Sequence, residues 1–118
     1  MGLIRLFALG AVACATVQGT ANAQYAISGG NATCEDLEDA GAFYTNHPNM
    51  QWIFGFLSGA ATLGMALNNA SETQLTRALD GMTNDEIVEW VEDWCSSNGS
   101  QTLSRAASRF IYVHTIGS

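Results

Sequence analysis

Cys34 and Cys95 are the two cysteines that remain once the first 23 residues are set aside, and a single cross-link between them constrains this chain more than any other feature. The reason for setting those residues aside is local. Arg5 gives a positive start, and Leu6 to Val17 is uncharged and mostly apolar, with small side chains at Ala8, Gly10, Ala11, Ala13 and Ala15. Gln18-Gly19-Thr20 then leads to Ala21-Asn22-Ala23, an A-x-A cleavage site. The apolar stretch is about 12 residues, short of the roughly 20 that cross a bilayer. A signal peptide over 1–23 is therefore expected rather than an N-terminal anchor. Cys14 leaves with it, and Ala11-Val12-Ala13 lacks the large aliphatic residue that precedes a lipidated cysteine by three positions. Export places the remaining pair in an oxidising compartment, periplasmic or secreted, where only one pairing is available. Closing a loop of about 60 residues stabilises a domain by about 4 kcal/mol in the chain-entropy model. That is a large share of a small domain's stability.

Removing 23 of the 118 residues leaves 95, enough for one domain with a modest core. This portion has no lysine, keeps Arg77, Arg105 and Arg109, and holds all 11 Asp and Glu; losing Arg5 takes the formal charge from −7 to −8. Such a chain is repelled by phosphate and by anionic lipid, so neither nucleic acid nor stable membrane insertion after signal cleavage is expected. The charge suits solubility or a cationic partner.

Helical signals fill the rest of the chain. Residues 24–32, with Gly29 and Gly30, read as a flexible N-terminal arm. Thr33 can cap a helix with Cys34, Leu37, Gly41 and Tyr44 on one face. Asn46-His47-Pro48 breaks the chain, and Asn49 can cap the next helix. Trp52 to Leu67 has no charged residue and is apolar on every side. It reads as a central buried helix rather than a membrane segment, being shorter than a span, with Gly55 and Gly59 as helix-packing positions. The same two glycines would serve a homodimer. Ser71 and Gln74 form a candidate capping box ahead of Leu75, Ala78, Leu79 and Met82, a short helix ending near Asp80-Gly81. Thr83 and Glu86 form a second box ahead of Ile87, Trp90, Val91, Trp94 and Cys95, a full apolar stripe with the cysteine on it. Gly99 is placed to end that helix. Ser100 or Thr102 caps the last one, with Leu103, Ala106, Ala107, Phe110 and Ile111 inside and Arg105 and Arg109 outside. The fold class expected is all-α: a compact bundle of four to five short helices around a central apolar helix, with one disulfide.

Catalytic and metal signals are poor. Gly55-Phe56-Leu57-Ser58-Gly59 puts its serine one position off a nucleophile elbow, and within a helix. His47 and His114 lie 67 positions apart without ligand-spaced neighbours, so no metal and no cofactor is expected. The acids of 35–39 and 85–93 lie on polar helix faces, where a solvated surface is a simpler reading than an acid–base pair. No enzyme is expected. Trp90 and Trp94 read as core, whereas Trp52 and Phe56, four apart, read either as core or as a partner-binding aromatic anchor.

Trp52-Ile53-Phe54-Gly55-Phe56-Leu57-Ser58-Gly59 resembles the W-x-x-G-[YF]-L-S-G segment of a set of small exported bacterial proteins. Ile87-Val88-Glu89-Trp90-Val91-Glu92-Asp93-Trp94-Cys95 is similar to their I-x-x-W-[IV]-x-x-[YW]-C helix, and Leu103-Ser104-Arg105-Ala106-Ala107 to their closing L-x-x-A-A. The likeness covers about 33–111, with Asn98-Gly99 where that set often has Asn-Pro. It implies a helical domain over 33–118 similar to HdeA/HdeB-type acid-stress chaperones of the periplasm and to Tai-type immunity proteins, which bind a secreted amidase. It carries no catalytic residue. The functions it implies are a periplasmic holdase for unfolded clients, an immunity protein, or an envelope interaction module with neither role.

Overall fold

A computed structural model describes residues 29–116 of the chain. The signal peptide expected over 1–23 and the first half of the expected arm lie outside the described residues. Among the described residues, the helical residues 29–31 are followed by five helices in the order α1 (Cys34–Asp39), α2 (Pro48–Leu67), α3 (Gln74–Asp80), α4 (Asn84–Ser96) and α5 (Leu103–Thr115). Among the described residues the only sheet-like pairing is one isolated antiparallel bridge, Thr33 with Thr102. The all-α class and the disulfide are as the sequence leads one to expect.

That bridge joins the N-termini of α1 and α5. The first N–H groups of a helix have no partner within it. In α1, Cys34 N donates to the Gln101 carbonyl at 2.8 Å and Glu35 N to the Gly99 carbonyl at 2.9 Å, while Asp36 N donates to Thr33 Oγ1 at 3.1 Å. In return, Leu103 N at the head of α5 donates to the Ala32 carbonyl at 2.9 Å. The Cys34–Cys95 bond spans 5.0 Å between Cα atoms beside this clasp. Both cysteines are buried, so the cross-link also belongs to the core.

The core gathers on α5, which packs against α2, α3 and α4, while α1 packs against α4. Leu103, Ala106, Ala107 and Phe110 are fully enclosed, as their i, i+3, i+4, i+7 spacing requires. The two alanines let neighbouring helices approach, and Phe110 meets Trp90 edge-on with ring centroids 5.2 Å apart. Met50, Ile53, Leu57 and Ala61 of α2, Leu75 of α3, and Ile87, Val88 and Val91 of α4 complete it.

Several local expectations need correction. Residues 29–32 are not a loose arm: 29–31 are helical, Asn49 Nδ2 donates to the Gly29 carbonyl at 3.0 Å, and Ala32 takes part in the clasp. α1 does not run to Tyr44. It stops at Asp39, and Gly41 adopts φ +62°. Ala42 N then donates to the Leu37 carbonyl at 2.9 Å and Gly41 N to the Glu38 carbonyl at 3.1 Å, a Schellman closure that needs a residue free of Cβ strain. α2 is capped by His47, not Asn49, with Pro48 in the first turn. α3 is capped by Thr73 and Thr76 rather than Ser71 and Gln74. Ser97, not Gly99, closes α4. The Thr83–Glu86 box forms as expected, with Thr83 N donating to Glu86 Oε1 at 2.8 Å and Glu86 N to Thr83 Oγ1 at 3.1 Å. Thr102 caps α5.

Candidate functional site

α2 has 20 residues and no charged side chain. Met50, Ile53, Leu57 and Ala61 recur at helical spacing and fill one stripe of it toward the core. Among the described residues, nothing fully encloses the rest of its circumference. Phe56 is 38% exposed, Leu63 58% and Leu67 76%, and Gly55, Gly59, Thr62 and Ala66 are exposed between them. The sequence suggests a segment buried all round because it lacks charged residues on any side; the bundle covers only one side. The helix is also longer than the uncharged run beginning at Trp52, since Pro48 starts it one turn earlier. It is long and apolar enough to cross a membrane, by length and composition.

Gly55 and Gly59, the positions expected to admit a neighbouring helix, do not do so here. Among the described residues nothing lies within 4 Å of a Cβ built on either, so they make no packing contact within the described bundle. The close approach occurs elsewhere. Gly29 and Gly30 lie on the Trp52 indole so tightly that a Cβ on either would fall within 2.6 Å of a ring carbon. Trp52 is thereby half-buried and packed against the core, and it stacks on Phe56 at 5.2 Å. Of the two candidate anchor residues, Trp52 is a support and Phe56 is the one presented outward. A glycine pair four residues before a cap was the signal for this, but the partner ring is more than twenty positions away in sequence.

A second surface lies on α4. Glu86, Glu89, Glu92 and Asp93 surround the half-buried Trp90 along its outward side, with Met82 at one end and Ser96 at the other. Asp85 in the first turn accepts a hydrogen bond from Thr45 Oγ1, tying the loop before α2 to this helix. Among the described residues no group of three or more His, Cys, Asp or Glu is arranged to hold a metal ion.

The cations are few and separately disposed. Arg77 pairs with Glu72 at 3.7 Å on the surface, where such a pair is worth little. Arg109 lies with its guanidinium carbon 5.1 Å from the Tyr112 ring centroid. Arg105 lines a cavity with Phe56, Gln101, Thr102, Ser104 and Ser108. The histidines are structural rather than solvated. His47 Nδ1 accepts the Asn49 N–H at 3.1 Å and its ring meets Tyr44 edge-on. His114 stacks on Phe110 at 4.0 Å, with Nδ1 2.8 Å from the Phe110 carbonyl oxygen.

No family model matches the chain. Neither curated proteins nor solved structures give a significant match.

Proposed function

We propose that this is a non-enzymatic exported protein that holds unfolded clients on the outer face of α2, a periplasmic acid-stress holdase of the HdeA/HdeB type. The observation that carries this reading is the uncharged face of Phe56, Leu63 and Leu67, left open in a chain of strongly negative charge. A soluble domain rarely leaves a contiguous apolar face without a use for it. Acid would enlarge that face. With its 11 carboxylates neutral, the exported chain turns from net negative to net positive, and repulsion among its cations favours opening. The disulfide would keep the opened chain from unravelling.

The test is suppression of client aggregation at about pH 2 to 3, where most carboxylates are protonated. Leu63→Arg and Leu67→Arg place a permanent charge on the exposed face without touching the core. They are expected to abolish suppression while leaving the neutral-pH fold unchanged. No suppression by the wild-type protein at stoichiometric amounts rules the reading out.

A second reading, a Tai-type immunity protein, is favoured by the acidic rim around Trp90. That surface complements a basic enzyme cleft, and a Trp ringed by carboxylates suits an Arg or Lys side chain. A gene for a secreted amidase beside this one, and a complex lost on Glu89→Lys, would favour it over the holdase.

A further inference from the structure

We propose that Asn98 is a self-modification site, where the folded chain converts an amide to an acid with water as the co-reactant and so loosens its own clasp. Of the asparagines in the sequence, Asn98 alone precedes a glycine. A glycine in that place lets its nitrogen reach the asparagine side-chain carbon, because no Cβ crowds the path and the backbone turns freely.

The fold leaves this pair open to the reaction. Asn98 lies just past the end of α4, and its carbonyl accepts the Gln101 N–H at 3.0 Å in a tight turn with Gly99 and Ser100 at its centre. Both Asn98 and Gly99 are half-buried, so water reaches them. The Gly99 N–H has no acceptor among the described residues, and no hydrogen bond opposes its deprotonation. Gly81, which follows Asp80, is engaged by contrast: its N–H donates to the Arg77 carbonyl at 3.3 Å. One hydrogen bond, from Nδ2 to the Trp94 carbonyl at 2.7 Å, holds the Asn98 side chain.

The chemistry needs no other group. Hydroxide removes the Gly99 amide proton, and the nitrogen attacks Cγ of Asn98. The N–Cγ bond forms, the Cγ–Nδ2 bond breaks, and Nδ2 takes a proton from water and leaves as ammonia. One water then opens the succinimide ring. Opening at Cγ gives aspartate. Opening at the main-chain carbonyl carbon gives isoaspartate, which has an extra carbon in the backbone. One water is consumed and one ammonia released, and nothing is oxidised or reduced. The extra carbon falls beside the clasp, where the Gly99 carbonyl takes the Glu35 N–H at 2.9 Å and the Gln101 carbonyl takes the Cys34 N–H at 2.8 Å. The new carboxylate adds a like charge near Glu35, whose Cβ lies 3.9 Å from the place of a Cβ on Gly99. None of this depends on client holding, so the two readings stand or fall in different experiments.

The experiment incubates the folded, disulfide-bonded protein in warm, mildly alkaline buffer without denaturant. Peptides are then mapped by mass spectrometry and by labelling with an isoaspartyl methyltransferase. The mass gain of an amide-to-acid exchange is expected in the peptide holding Asn98 before that of any other asparagine. Isoaspartate should be the main product, and the rate should rise in proportion to hydroxide. Asn98→Gln should abolish the change. Gly99→Ala should slow it several-fold with an unchanged circular dichroism spectrum, since the added Cβ meets only ordinary van der Waals contact. The purified isoaspartate form should unfold at a lower urea midpoint than the unmodified protein, and Asn98→Asp should shift the midpoint less. Earlier reaction at another asparagine, reaction at Asn98 only after urea has unfolded the chain, or an unchanged midpoint for the isoaspartate form would each overturn the proposal.

Discussion

His47 occupies the N-cap of α2, where Ser, Thr, Asp and Asn are the usual residues. Its backbone is extended, its Nδ1 takes the Asn49 N–H, and Pro48 behind it needs no acceptor of its own. An imidazole fills this role only in the tautomer that leaves Nδ1 unprotonated. Replacing it with alanine removes the acceptor and leaves an α2 donor unpaired. His47→Ala is expected to lower stability by about 1 kcal/mol at neutral pH, and His47→Asn to restore most of the loss. Urea unfolding curves measure both. Equal midpoints for the wild type and His47→Ala would show that water replaces the cap without cost.

At the level of elements, α2 is where sequence and structure diverge most. Its two exposed glycines carry no packing load among the described residues, so their main effect on the folded chain is backbone entropy. Gly55→Ala and Gly59→Ala are each expected to raise stability by about 0.5 to 1 kcal/mol. A drop in the denaturation midpoint instead would reveal a neighbour packed against that face. The amphipathic helices α4 and α5 were legible because a polar side and an apolar side mark which way each turns; Ile87, Val91 and Cys95, and Leu103, Ala106 and Phe110, went inside as their spacing required. α2 has no charged side, so nothing in it says which stripe meets the core. Gly41 misled for a related reason. It falls in phase with Cys34 and Leu37, and period alone cannot tell a small interior residue from one that ends a helix in the left-handed region. The Arg105 cavity was not legible either, because Phe56 and Ser104 are brought together only by the packing of α2 on α5.

In the whole molecule, two kinds of staple meet at one place. The backbone clasp couples residues 32–35 to residues 99–103, and the sulfur link couples Cys34 to Cys95. The covalent link limits the disorder of the unfolded chain, and the clasp satisfies donors in the folded one. Reduction, or the double substitution Cys34→Ser with Cys95→Ser, is expected to cost about 4 kcal/mol, read from denaturant unfolding at neutral pH. A loss much smaller than that would mean that the reduced, unfolded chain keeps residual structure near the clasp.

The position of the sulfur link also decides how the folded chain would respond to tension. A pull applied at residues 29 and 116 runs along the chain to Cys34, crosses directly to Cys95 and continues through α5. The chain between the two cysteines, which are 61 positions apart, lies off that line of force. Stretching would peel α5 away and extend only the short end segments, leaving α2, α3 and most of α4 slack within a closed ring.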